Sequence, residues 1–591
     1  MRYAQHGGDF KIRKPGPLLI RAGRLGRHLA WPAIGALFAA IVATAARLLG
    51  PLAVRAGIDD GIATGDTGMI ARAAIVLMGL LVVQYFAQAI AQFSVAWVGE
   101  RYLKRLRADV FHHIAHLDMP FYDKAKTGVI VSRMTSDIEA MTEFANEGAV
   151  MALTNLLTIV GVAIAMLIVD PQLAFVVFGV IVVLIVISII FQKQASRAYA
   201  NIRERVGGVL ASLQEGITGV RVVQAFTRQT EQAGTFGRVN EHYFDANMQA
   251  ALAISWYFPV VAFLRVVGLA LVLFVGGRNV IAGEMTIGSL VVFLLYLDWF
   301  FQPIINLANV YNLMQAALAA LAKLFGLLDT PAVVQERPGA FDLVLPPEGG
   351  LSFEETSFGY DPELPVITGL NLNIPPGQRV AVVGETGAGK STIAKLLMRF
   401  YDPTDGVVAI DGKDLRDLTF ESRSAAITLI PQDDFLFNGT LRDNFRYGKP
   451  DATDEEIWNV CRAMGIDGWV RELPEQLDTE VRERGSRFSA GERQLVALGR
   501  AFLVEPAVIV LDEATSNLDP ETEVEVEGAL RVLLAGRTAV VIAHRLRSAQ
   551  RADRVVMIDR GNIIADGSHD ELVATNAEYA QLVEVWERGL A

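Results

Sequence analysis

A chain of 591 residues is longer than one ordinary domain, so two or more are expected. It is 52% hydrophobic with a mean hydropathy of +0.35, which is high for a protein surrounded only by water. The net charge of -12 and the lack of a basic stripe argue against a nucleic-acid partner, and a single cysteine, Cys461, cannot form an internal disulfide.

Apolar residues crowd before about residue 306 and charged ones dominate after about 335, which predicts a membrane half followed by a soluble half. Residues 1–28 carry Arg2, Lys11, Arg13, Lys14, Arg21, Arg24 and Arg27 against Asp9. With no cleavable apolar region, this reads as a cytoplasmic N-terminal segment with a short interfacial helix. Apolar runs follow near 29–54, 73–98, 149–169, 173–191, 254–276 and 285–305, most of them close to the roughly 20 residues that span hydrocarbon. The connections 99–148 and 192–253 hold most of the Lys and Arg, for example Arg101, Lys104, Arg197 and Arg203, so positive-inside bias places them in the cytoplasm. The spans can continue into these connections as unbroken helices. Residues 29–326 are therefore expected to form a six-helix transmembrane domain.

A few polar side chains lie within the spans. Gln84, Gln88 and Gln92 share one helix face, and Arg265 and Asp298 sit near the middle of the fifth and sixth runs. Two readings stand side by side: a polar pathway, or interhelical glue with a structural Arg265–Asp298 pair.

Residues 327–350 hold Pro331, Pro338, Gly339, Pro346, Pro347, Gly349 and Gly350 and read as a linker. In 351–591 apolar strands alternate with helical segments, which predicts an α/β domain with its ligand at the carboxyl ends of strands. The apolar run Val380–Val383 leads into Gly384-Glu385-Thr386-Gly387-Ala388-Gly389-Lys390-Ser391-Thr392 and then a helical segment. Strand, glycine loop and helix together make a phosphate cradle: inward N–H groups, a helix start, Lys390 for the β- and γ-phosphates and Ser391 for Mg²⁺. A second strand, Ala507–Leu511, delivers Asp512 toward the metal and Glu513 toward an attacking water. A third, Thr538–Ala543, ends at His544, which can reach the γ-phosphate. Tyr360 upstream has two readings, an aromatic that stacks on adenine or an ordinary packing residue.

In this order the residues resemble the ATP-binding cassette exporters, with one membrane half fused to one nucleotide-binding half. The resemblance implies ATP and Mg²⁺ as ligands, with Tyr360 as the adenine-stacking residue and Gly384–Ser391 as Walker A. It implies Gln432, in Ile430-Pro431-Gln432-Asp433, as the glutamine that ligates Mg²⁺ beside Ser391 and Asp512. Thr479–Gly485 is similar to the exporter X-loop, Asp512-Glu513 to Walker B with its catalytic carboxylate, Ser516–Asp519 to the D-loop, and His544 to the switch histidine. Phe121–Gly128 and Glu215–Arg221 look like the two coupling regions.

One motif departs from the family. Its signature, usually Leu-Ser-Gly-Gly-Gln, reads Phe488-Ser489-Ala490-Gly491-Glu492 here. Ser489 and Gly491 are expected to close over the ATP held by a second chain. Ala490 is expected to resist a conformation that glycine takes freely, and Glu492 to sit unfavourably near a polyanion. Competent hydrolytic residues beside an altered signature resemble one chain of a heterodimeric exporter; a homodimer is the alternative. The function implied is ATP-driven export of a small or amphipathic molecule by alternating access in a bacterial inner membrane. A lipid or glycolipid flippase, a siderophore-type importer and an ATP-gated channel are open alternatives. Cargo and source are not written in these residues.

Overall fold

The computed structural model describes residues 15–344, 346–432, 434–512, 520–543 and 545–588. The chain divides into two compact units, Met1–His116 with Ala125–Thr330, and Leu117–Lys124 with Pro331–Ala591.

The first unit is helical. α1 (Pro15–Leu25) leads into α2 (Ala30–Ala56), which pairs with α3 (Thr67–Ala115). Ala39 and Ala40 of α2 are buried against Ala91 of α3, and such small side chains let helix backbones approach closely. α3 starts where the Asp66 carboxylate accepts from the N–H groups of Gly68 and Met69, and it runs 49 residues without interruption. The short α4 (Met119–Lys124) belongs to the second unit. α5 (Thr127–Ser132), α6 (Ile138–Glu143) and α7 (Ala149–Val169) form a third apolar stretch. α8 (Pro171–Thr218) begins with the Asp170 carboxylate on the Leu173 N–H and with Pro171, whose missing N–H costs nothing in a first turn. α9 (Val220–Ala225) and α10 (Gln229–Ser255) lead to α11 (Tyr257–Ile281) and α12 (Ile287–Leu328). Six helical stretches among the described residues are long and apolar enough to cross a membrane, from Arg27–Ile62 to Ile287–Leu328. The expectation that spans continue into their connections is met by α3 and α8. The core of this unit packs Val162, Met166, Leu184, Val272, Phe293 and Tyr296, all inaccessible.

The second unit holds two sheets. β1 (Leu351–Phe358), β2 (Ile367–Ile374), β4 (Asp405–Ile410) and β5 (Lys413–Asp414) form an antiparallel sheet in the order β2-β1-β4-β5. The other strands are β3 (Arg379–Val383), β6 (Ile427–Ile430), β7 (Val508–Asp512), β8 (Thr538–Ile542), β9 (Arg554–Asp559) and β10 (Asn562–Gly567). They form a sheet in the order β10-β9-β3-β8-β7-β6, parallel except for β10. Strands covered on both faces read as continuous apolar runs rather than alternations, and Val380–Val383 and Val508–Val510 are fully buried. Register sets Val382 beside Ile542 and Ile542 beside Asp512, so three neighbouring strands end at one level. The residues that follow them, Gly384 and Ala543, thus emerge beside Asp512 at the carboxyl edge of the sheet, where open α/β sheets bind their ligands.

Candidate functional site

The phosphate loop leaves β3 at Gly384, whose φ of 146° is left-handed and where a Cβ would lie 2.1 Å from the Ile558 carbonyl oxygen. Only glycine fits such a position. Gly387 and Gly389 also have positive φ, 88° and 109°. α13 (Lys390–Leu397) starts directly after Gly389 with no side-chain cap. The Thr392 and Ile393 N–H groups donate to the Gly389 carbonyl at 3.1 and 3.2 Å, and no side chain caps this helix start, the kind of end that suits an anion. Lys390 is buried, and its ammonium donates to the Gly384 and Glu385 carbonyls at 2.7 and 2.9 Å, so it is held inside the loop. Glu385, Thr386 and Ser391 are exposed, while Ala388 and Thr392 are buried. The cradle fits a nucleoside polyphosphate: a run of inward backbone, a caged cation and an open helix start.

Tyr360 follows β1 with its ring edge-on to Phe358 and Tyr401, centroids 5.1 and 5.2 Å away. Its hydroxyl lies 3.2 Å from the Thr392 hydroxyl, which ties the aromatic to α13. Gln432 lies exposed two residues beyond β6, and Asp512 ends β7. Glu513, Ser516, Asn517, Leu518, Asp519, Asp433 and His544 fall outside the described residues.

The signature motif opens the helix Ala490–Val504. One expectation about it changes, and the other gains a structural setting. Ala490 is the first residue of that helix and does not have positive φ, so no strain attaches to its methyl. Glu492 is not a loose charge. Its carboxylate accepts from the Ser489 N–H at 2.6 Å and from Trp469 Nε1 at 2.7 Å, while the Glu492 N–H donates to Ser489 Oγ. This is a capping box, which satisfies helix donors reciprocally. Gly491 is buried and Ser489 is exposed. Just upstream, Arg482 and Arg484 hold left-handed φ of 59° and 53°, an uncommon strain for long side chains.

The segment 117–124 adds a feature that sequence reading caught only in part. Asp123 of α4 accepts from Tyr401 Oη at 2.6 Å and Lys395 Nζ at 3.0 Å. The Lys395 ammonium also lies 5.2 Å from the Tyr360 ring centroid. Burial pushes the Asp123 carboxyl up, but bonds from Tyr401 and Lys395 outweigh it and hold the group below its ordinary value. Lys395 and Tyr401 carried no signal, because their partner is about 270 residues away in sequence. The single thiol, Cys461, is buried in an apolar cluster with Leu495 and Val496 of the signature helix, and burial pushes it up to about 12.

In the membrane unit Arg265 and Asp298 form a two-pronged pair, Nε to Oδ1 at 2.6 Å and Nη2 to Oδ2 at 2.9 Å. Gln84 and Gln88 are half-buried and Gln92 is exposed.

This arrangement defines an ATP-driven membrane transporter of the ATP-binding cassette class: apolar spans fused to a strand–loop–helix phosphate site. Family comparison agrees. Residues 33–304 match the family ABC transporter transmembrane region and residues 367–516 the family ABC transporter. The chain belongs to the ABC transporter family. It is 36% identical, over 92% of its own length and 90% of the relative's, to an uncharacterized ABC transporter ATP-binding protein, YknV, of Bacillus subtilis (strain 168). It is 35% identical over 96% of its length to a multidrug efflux ATP-binding/permease protein of Mycobacterium bovis (strain BCG / Pasteur 1173P2), of which it spans 47%. Among solved structures, a bacterial Atm1-family ABC exporter with ATP bound aligns with a TM-score of 0.78 and 26% identity, over 95% of this chain and 99% of that one. The protein is a half-transporter of exporter type, multi-pass in the membrane, that hydrolyses ATP with Mg²⁺ and works as a dimer in a lipid bilayer.

Proposed function

We propose that this chain is the hydrolytically competent subunit of a bacterial inner-membrane exporter for small amphipathic molecules. The observation that carries the reading is the caged Lys390 at an uncapped helix start, on a loop whose strand ends level with Asp512. Tyr360 stacks on the adenine. Lys390 and the N–H groups of Gly384–Thr392 hold the β- and γ-phosphates, a role their inward backbone and caged ammonium suit. Ser391, Gln432 and Asp512 hold Mg²⁺, which when bound neutralises phosphate charge as the γ-phosphoryl leaves. Glu513 orients or deprotonates the attacking water, and His544 steadies the γ-phosphate. Ser489 and Gly491 close over the nucleotide of the other chain. Because ATP binds the closed arrangement better, it shifts the population toward an outward-facing state, and hydrolysis resets it. A drug-like cargo is supported by the named activity of the multidrug efflux relative.

The pairing we favour is with a different half-transporter that supplies an unaltered signature. With Ala490 in an ordinary helical conformation, the support rests on the Glu492 carboxylate at the helix start. Glu513→Gln is expected to keep ATP binding and lose turnover by at least about 100-fold, read by phosphate release from reconstituted protein. Undiminished turnover would remove Glu513 from its role. Purification of the chain alone tests the partner: a stable dimer with two equivalent hydrolytic sites and full turnover would show that no different chain is needed.

A further inference from the structure

The six apolar runs of the membrane unit contain three charged residues: Arg47, Arg265 and Asp298. Arg47 is the lone charge of the first run. All three lie inside their runs, seven residues or more from either end. At 1.5 Å per residue, Asp298 is about 16 Å along α12 from Ile287, Arg47 about 14 Å from the Ala56 end of α2, and Arg265 about 24 Å from the Ile281 end of α11. The Tyr296 hydroxyl donates to the Leu48 carbonyl at 2.6 Å, which fixes Arg47 and Asp298 at one level.

These charges do not cancel. Asp298 is bound bidentately by Arg265, so it offers no free carboxylate to a cationic cargo. Arg47 has no carboxylate partner among the described residues. Its guanidinium lies 4.7 Å from the centroid of the Trp299 ring, an attraction that steadies the cation without neutralising it. Each chain thus keeps one surplus positive charge within its apolar spans, where an uncompensated arginine is costly. Trp299 stands about 100° round α12 from Asp298, and the neighbouring face that Asp298 heads is polar and exposed. In the single chain Asp298, Gln302, Asn309 and Asn312 are exposed on α12. At 100° per residue they fall within one arc of the helix that descends toward its cytoplasmic end. Hydrocarbon cannot solvate an ion pair and a row of amides, so this arc borders water, cargo or a second chain.

Resting on the exporter reading, we propose that the cargo is an amphipathic anion, bearing a carboxylate, phosphate or sulfonate, whose charged end is taken by Arg47. A guanidinium matches those oxyanions bidentately, and Trp299 beside it offers an apolar wall. The polar arc of α12 gives the charged end a wettable track through the unit.

The test uses inside-out vesicles carrying the full chain with its partner subunit. Two fluorescent amphiphiles of the same tail are compared, one ending in phosphate and one in trimethylammonium. The phosphate probe is expected to accumulate on MgATP addition and to stimulate ATP turnover; the ammonium probe is not. Arg47→Gln should raise the half-saturating concentration of the phosphate probe by about tenfold, and Arg47→Lys should restore most of the difference, which a folding defect would not do. A short, water-soluble aromatic sulfonate tested in parallel separates entry from the cytoplasm from entry out of the bilayer, since only the former handles it. Preference for the ammonium probe, stimulation by neither probe while ATP is still hydrolysed, or an Arg47→Gln protein that matches the wild type would overturn the proposal. Absence of ATP turnover under every condition would instead sink the exporter reading beneath it.

Discussion

Two helix starts in the nucleotide-binding unit face opposite chemical situations. α13 begins after Gly389 with no side chain over its N–H groups, and the nearby charge, Lys390, is positive. The helix Ala490–Val504 begins under Ser489, and a carboxylate of its own, Glu492, already occupies the Ser489 N–H. Both ends carry the partial positive charge of a helix N-terminus. One is left open for an external anion; the other brings an internal one. A charge placed this way stabilises the local fold; in the proposed closure it would oppose a second polyanion at the same end, a conflict that Lys390 does not meet.

The largest break in that contrast comes from Lys390→Met, which removes the caged cation from the open end. ATP turnover should fall by about 100-fold or more, with weaker nucleotide binding, measured as phosphate release and as binding of a fluorescent ATP analogue. Smaller and of opposite sign is Glu492→Gln. Glutamine can still form the capping box, so only the charge is lost. If the carboxylate opposes closure by about 0.3–1 kcal/mol, turnover of the two-chain assembly should rise about two- to fivefold; a fall would mean that the carboxylate helps closure. Glu492→Ala removes the cap as well and leaves Trp469 Nε1 without its acceptor, so thermal melting should show a loss of about 1 kcal/mol that the glutamine variant lacks.

The smallest effect sharpens the comparison through Cys461, which packs beneath the signature helix. Burial raises this thiol to about 12 from an ordinary 9.0. A raised folded value means that its share of stability is complete below the unfolded value and is lost as pH rises between the two. At pH 8 a maleimide should therefore label Cys461 slowly in the wild type and faster in Glu492→Ala. Equal rates would show that the cap does not restrain this part of the unit.

Much of this was legible in the sequence, and for physical reasons. The phosphate loop, its strand and its helix are contiguous, so their chemistry is written in nine neighbouring residues, Gly384–Thr392. The long helices α3 and α8 were readable because charge bias and apolar length act locally along the chain. What stayed hidden depends on partners far apart. The Asp123–Lys395–Tyr401 cluster joins α4 to α13 across about 270 residues, and nothing beside Lys395 or Tyr401 announces it. The setting of Glu492 was hidden too, because its identity shows a charge but not the two donors that hold it. Arg47 was visible as a lone cation in an apolar run, yet its meaning needed Arg265 and Asp298 to be seen paired.

The central claim is that nucleotide clamped at Lys390 drives the membrane unit between two access states. The most direct measurement is ATP turnover together with outward movement of a labelled amphiphile in proteoliposomes containing this chain and its partner, compared between wild type and Glu513→Gln. The predicted result is MgATP-dependent flux in the wild type that disappears with turnover in the variant. Flux that persists in the variant, or a wild type that binds ATP yet neither hydrolyses it nor moves cargo, would contradict the account.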